Sequence, residues 1–94
     1  MTILWSRTAV EDLQQLRSFI AQHDPSAAAR TAGAILDAVD NLRRYPGMGR
    51  PGRLPGAREL IVAGTPCIVP YTVSDGVVQI ITVLHSSRKW PQKR

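Results

Sequence analysis

Two turn signals cut the last third of the chain into three short β-type runs, and this spacing constrains the fold more than any other feature. Gly64-Thr65-Pro66 separates residues 58–63 from 67–73, and Asp75-Gly76 separates 67–73 from 77–85. Asp-Gly between apolar runs is a strong hairpin signal, because the tight turns that match strand twist need positive φ at their central residues. The three runs are therefore expected to form an antiparallel meander. Leu60 and Val62 fall on one face of the first run and Glu59 and Ile61 on the other; Val69, Tyr71 and Val73 share a face of the second. Residues 77–85 are nearly all apolar on both faces, as in a central strand covered on two sides. Pro70 lies inside the second run and has no N–H for a ladder. Its nitrogen must face out of the sheet or sit at a bulge.

The N-terminal half has helical period. Thr2-Ile3-Leu4-Trp5 reads as a first strand. Ser6 follows at an N-cap position, and Ala9, Leu13, Leu16 and Ile20 make one apolar stripe, which predicts a helix over about 7–22. Asp24-Pro25 starts a second helix, with Asp24 as cap and Pro25 at the first helical position, where a missing N–H matters least. Ala28, Ala32, Ile35, Val39 and Leu42 form its stripe, and Pro46-Gly47 ends it. The short link makes the helices an antiparallel hairpin. The expected fold class is α+β: an N-terminal strand, then an antiparallel two-helix hairpin packed on an antiparallel sheet of three to four strands, which the first strand joins. Residues 46–56 read as loop.

At 94 residues the chain is expected to be one domain, spanning 1–94. A chain of this size buries only about 60–65% of its unfolded surface, so a partner would matter to its stability. The net charge of +5 and pI near 10.4 favour a polyanionic or acidic partner. Cys67 is the single cysteine, which excludes an internal disulfide and a Cys/His zinc site; in its apolar run it reads as a small buried hydrophobe. The sequence shows neither a signal-peptide pattern nor an apolar run of membrane-spanning length, so a cytoplasmic location is expected. P-loop, dinucleotide fingerprint, metal-ligand cluster and nucleophile elbow are all missing, so no metal and no cofactor are expected.

The candidate functional residues are basic. Arg43, Arg44, Arg50, Arg53 and Arg58 follow one another with no acid before Glu59, and Arg88, Lys89, Lys93 and Arg94 form a second group. Together they could make one polyanion-binding face. Arg43 and Arg44 fit better as cations at a helix C-terminus; for Arg50, Arg53, Arg58 and Arg88 a binding role and a solvated surface are equally open. Trp90 could stack on a base or fold back on the sheet. Tyr71 reads as core and His23 as a solvated residue of the helix link. His85 ends the last run, where other strand ends could bring Arg58 and Glu59 close. There it could exchange a proton with a ribose hydroxyl while arginine steadies phosphate charge, as a metal-free ribonuclease would. The plainer alternative is a histidine that hydrogen-bonds backbone at the strand end.

In these residues the chain resembles the RelE/ParE superfamily of type II toxin–antitoxin toxins. The matching pieces run in order along almost the whole chain: Trp5 with Ala9, Asp12 and Leu13; Asp24-Pro25 and the alanines; Pro46-Gly47; Gly49-Arg50; Gly52-Arg53; Pro55-Gly56; Arg58-Glu59-Leu60; Gly64-Thr65-Pro66; Tyr71; Val83-Leu84-His85; Trp90-Pro91. The resemblance implies the α+β sandwich, a role in plasmid or chromosomal stability, and a cognate antitoxin whose C-terminal segment wraps the toxin. RelE-like members cut mRNA on the ribosome; ParE-like members poison DNA gyrase. Carried over by position, Arg58 and His85 are the nuclease candidates. Thr72 stands where ribonuclease relatives often have arginine, and no tyrosine follows His85. The Leu84-His85 ending and the Arg88/Trp90 tail resemble the ParE-like branch, which makes growth inhibition through gyrase the expected action and ribosome-dependent mRNA cleavage the alternative, with a non-toxic basic binding module as a third reading.

Overall fold

The computed structural model describes residues 1–85. Its elements are β1 (Thr2–Trp5), α1 (Arg7–Ala21), α2 (Pro25–Asp40), a 3-10 turn (Asn41–Arg43), β2 (Arg50–Pro51), β3 (Arg58–Ile61), β4 (Cys67–Ser74), β5 (Val77–Ile80) and β6 (Leu84–His85). Both helices begin where the sequence signals them. The Ser6 hydroxyl accepts the Ala9 N–H at 3.0 Å, and the Asp24 carboxylate accepts that of Ala27 at 3.1 Å, so each cap satisfies an otherwise orphaned amide. After Asp40 the second helix tightens to 3-10 geometry rather than running on to Pro46.

The sheet order is β1-β5-β4-β3-β2, with β6 also paired to β4. The expected meander of β3, β4 and β5 is present, and α1 and α2 pack on one of its faces. Ala9, Ile35, Val39 and Leu42 meet Leu60, Val69, Tyr71, Val78 and Ile80 there in one buried core. The sheet is wider than expected and it is mixed. β1 joins β5 in parallel, Thr2 opposite Val77 and Trp5 opposite Ile80. Arg50 and Pro51, read from the sequence as loop, pair with Glu59 and Arg58. A four-residue strand does not record its own direction; the helices and meander between β1 and β5 return the chain to the same end of the sheet.

The predicted last strand is broken in two, and Pro70 accounts for the break. Ile80 lies opposite Tyr71 and Leu84 opposite Ile68, so Ile81, Thr82 and Val83 face only Val69 and Pro70. That is a β-bulge with one extra residue. The Val62 N–H donates to the Cys67 carbonyl at 3.1 Å, so alternation along the ladder turns the Pro70 nitrogen away from β3 and toward the bulge. The Ile81 N–H still reaches the Pro70 carbonyl at 3.0 Å.

Helix α1 fastens the bulge. The Ser6 hydroxyl donates to the Ile81 carbonyl at 2.7 Å. The Asp12 carboxylate accepts the Thr82 hydroxyl and, at 3.2 Å, the Val83 N–H. Asp12→Ala is expected to lower stability by about 1–2 kcal/mol, because a buried hydroxyl and an off-ladder amide lose a charged acceptor. Urea unfolding checks this against Glu11→Ala, an exposed neighbour that should stay within about 0.5 kcal/mol of wild type.

Candidate functional site

The segment between α2 and β3 carries the arginines, and two buried side chains of the sheet fix its path. Tyr71 is fully buried, as expected of a core residue, yet its hydroxyl does positional work. It donates to the Pro46 carbonyl at 2.7 Å and accepts the Gly49 N–H at 2.8 Å. Gly49 packs directly on the ring: a Cβ there would lie 2.7 Å from both Tyr71 Cε1 and the hydroxyl oxygen. Arg58, opposite Tyr71 in the ladder, donates from Nη1 to the Gly49 carbonyl at 2.8 Å. The loop closes on itself where the Gly52 N–H meets the Ala57 carbonyl at 2.8 Å.

Glu59 is the second anchor. It is only 2% exposed although its strand neighbour on the same face, Ile61, is 56% exposed. The Arg53 N–H donates to Oε2 at 2.9 Å, Arg53 Nε to Oε2 at 3.1 Å, and Arg50 Nη2 to Oε1 at 3.3 Å. Burial pushes the Glu59 carboxyl up and is the largest single influence on it. The Arg53 amide and the guanidinium groups of Arg53 and Arg50 together outweigh burial and hold it below the usual glutamate range. The two guanidinium groups converge on one carboxylate while about half of each side chain, 51% for Arg50 and 40% for Arg53, stays in solvent. The result is a pinned, net-positive loop that can present planar hydrogen-bond donors to an acidic surface.

The sequence grouped His85 with Arg58 and Glu59; the ladder separates them. Arg58 lies opposite Tyr71 and His85 opposite Cys67. The two rows are four residue steps apart along β4, about 13 Å at the rise of an extended strand. Glu59 also points to the opposite face from Arg58. Proton transfer and phosphate stabilisation at a single bond need groups within hydrogen-bond reach of it, and this arrangement does not gather them. The other candidates take plainer places. Arg43 pairs with Asp40 at 2.8 Å near the end of α2, and Arg44 is exposed. His23 is exposed, with its ring edge-on to Phe19 at 5.7 Å. Cys67 is buried, and burial pushes its thiol up, away from thiolate reactivity. Arg88, Lys89, Trp90, Lys93 and Arg94 lie outside the described residues. Among the described residues no group of three or more His, Cys, Asp or Glu side chains is placed to hold a metal ion, and no helix is long and apolar enough to cross a membrane.

Sequence reasoning missed Glu59 as the organiser of the loop. The available signal was an acid directly after a run of five arginines and directly before an apolar strand.

Comparison with known proteins agrees with this architecture. A family model described as "ParE toxin of type II toxin-antitoxin system, parDE" matches residues 3–90. The chain belongs to the ParE toxin family. Among curated proteins, the chain is 44% identical over 90 residues to "Putative toxin Y4kP" of Sinorhizobium fredii, covering 96% of this chain and 93% of that one. It is 37% identical over 86 residues to "Toxin RelE2" of Caulobacter vibrioides, with 92% and 96% covered. Among solved structures it superposes on the chromosomal ParDE toxin–antitoxin system of P. aeruginosa with a TM-score of 0.78 at 28% identity, covering 88% of this chain and 92% of that one. The toxin–antitoxin complex RelBE2 of Mycobacterium tuberculosis gives a TM-score of 0.67 at 27% identity, with 89% and 95% covered. This ParE-family chain is thus a type II toxin with the RelE/ParE α+β fold, and its relatives carry both ParE and RelE names.

Proposed function

We propose that this ParE-family toxin stops growth by binding DNA gyrase in the cytoplasm rather than by cutting RNA, and that a cognate antitoxin neutralises it. The observation that carries the proposal is the distance between Arg58 and His85 along β4, which leaves the ribonuclease candidates unassembled. The family match supports the same branch. Arg58 is engaged with the Gly49 carbonyl, which fits a loop-building role better than a catalytic one. Arg50 and Arg53 are the proposed target contacts, extended by Arg58 and by Arg88 and Trp90 of the tail. The antitoxin is supported by the solved relatives, which are toxin–antitoxin assemblies.

Purified toxin added to gyrase and relaxed plasmid is expected to block supercoiling and raise covalent cleavage complexes, while messages in a translating extract stay intact. His85→Ala should retain this activity, and Arg50→Gln/Arg53→Gln should weaken it about tenfold or more. Unchanged supercoiling together with codon-phased cuts in translated messages would overturn the proposal in favour of ribosome-dependent cleavage.

A further inference from the structure

Ile61 stands beside the arginine loop with 56% of its surface in solvent, and the proposed function leaves it unused. Alternation along β3 puts its side chain on the face that carries the Glu59 carboxylate, two residues and about 7 Å away. That carboxylate holds the guanidinium groups of Arg50 at 3.3 Å and Arg53 at 3.1 Å. Two partly exposed cations and an exposed aliphatic side chain therefore share one face of the sheet edge.

The backbone of Ile61 is open as well, and the short length of β2 is the reason. β2 pairs only with Glu59 and Arg58. At Gly49 the chain turns off the edge: its N–H donates at 2.8 Å to the hydroxyl of Tyr71, whose ring lies in the core on the helix side of the sheet. The Val62 N–H donates to the Cys67 carbonyl, so alternation turns the N–H and carbonyl of Ile61 away from β4. On that side, among the described residues, no strand pairs with Ile61.

Gyrase bound to DNA presents two kinds of negative surface, and these features separate them. A phosphate backbone suits the guanidinium groups, but its oxygens only accept hydrogen bonds. They would meet the outward carbonyl of Ile61 as acceptor against acceptor and set the aliphatic side chain against charge. A protein segment in extended form suits all three: a carboxylate for the arginines, a peptide N–H and carbonyl for the open backbone of Ile61, and an apolar side chain two residues from the acid, which falls on the same face.

We infer that the arginine loop and the β3 edge beyond it form one site for a short, extended, acidic segment of the gyrase protein, and not for the DNA that gyrase holds. The acid lies on Arg50 and Arg53, the apolar side chain on Ile61, and one backbone pair forms at Ile61. The inference rests on the gyrase reading above and narrows it from a nucleoprotein surface to a protein segment. The arginines steer the approach and Ile61 supplies the part of the contact that salt does not screen.

The test measures binding of the full chain to purified gyrase with and without DNA, over a range of salt. Binding is expected to persist without DNA, and amide exchange at Ile61 to slow about tenfold or more in the complex. Ile61→Thr keeps the β-branch at an exposed strand position and should weaken binding about fivefold or more, by the same factor at low and high salt. Ile61→Asp, which sets a carboxylate against an acidic segment, should weaken it further. Binding that appears only with DNA and falls steeply with salt would assign the site to phosphates; it would overturn this inference and leave the gyrase reading standing. So would wild-type binding by both Ile61 variants, or unchanged exchange at Ile61. Gyrase that neither binds the toxin nor loses supercoiling activity, with DNA present, removes both.

Discussion

Glu59→Ala is expected to destabilise the protein by about 3 kcal/mol and to release the arginine loop. The side chain is buried and accepts from the Arg53 backbone and from two guanidinium groups. Removing one member of a buried charged cluster is costly when the others are left without a partner. Arg50 and Arg53 can turn to water, which lowers the loss, but the Arg53 amide and the space left by the carboxylate cannot be repaired so easily. Glu59→Gln keeps the shape and still costs nearly as much, since its amide nitrogen turns one acceptor into a donor facing other donors. The pH dependence identifies the cause. The folded-state carboxyl is held below its ordinary value of 4.5, so its contribution is complete above that pH and is lost as the pH falls toward the lower folded value. Urea unfolding at pH 7 and at about pH 3 should show the gap between wild type and Glu59→Gln closing in acid. A gap of equal size at both pH values would mean that the charge of Glu59 contributes nothing.

The same residue shows where the sequence stops being informative. Helix starts are local chemistry: Ser6 and Asp24-Pro25 announce themselves, and the structure caps α1 and α2 with those residues. The Asp75-Gly76 hairpin is equally local, with Asp75 at φ 50° and Gly76 at φ 76°. Pro70 could be flagged as irregular, because a missing N–H is a property of the residue itself, but the extra residue of the bulge sits on the opposite strand. Alternation placed Glu59 and Ile61 on one face, correctly, yet one is buried and the other is not. The difference comes from Gly52 and Arg53, which fold over Glu59 and not over Ile61; a Cβ on Gly52 would come 2.9 Å from the Ala57 carbonyl oxygen and 3.3 Å from Glu59 Cγ. The expected closeness of His85 and Arg58 was lost for a related reason. Placing His85 beside Arg58 assumed that strand ends meet, whereas pairing register decides which rows lie together: the antiparallel run of β4 against β5 and β6 carries His85 to the Cys67 end of β4, away from Tyr71 and Arg58.

Gly49→Ala is expected to cost about 3 kcal/mol, at the upper end of the usual penalty for overpacking, although the new side chain is a single methyl group. Its Cβ would meet the Tyr71 ring and hydroxyl at 2.7 Å and the Glu59 carbonyl oxygen at 3.0 Å. None of these can yield cheaply. The ring is fully buried, its hydroxyl is held by Pro46 and Gly49, and the Glu59 carbonyl belongs to β3. Gly47→Ala, two residues earlier with open space around its Cβ, should change stability by no more than about 0.5 kcal/mol. Tyr71→Phe should lose about 1–3 kcal/mol, because it leaves the Gly49 N–H and the Pro46 carbonyl without their partner. The decisive experiment is the double variant. Deleting the hydroxyl removes one of the two closest clashes, so Gly49→Ala with Tyr71→Phe should be less destabilised than the sum of the singles, by about 1 kcal/mol or more. Strict additivity in urea unfolding would mean that the loop does not rest on the Tyr71 hydroxyl. Coupling would make Tyr71 and Glu59 joint supports of the loop that carries Arg50 and Arg53, and would tie the affinity of the toxin for its target to the integrity of its core.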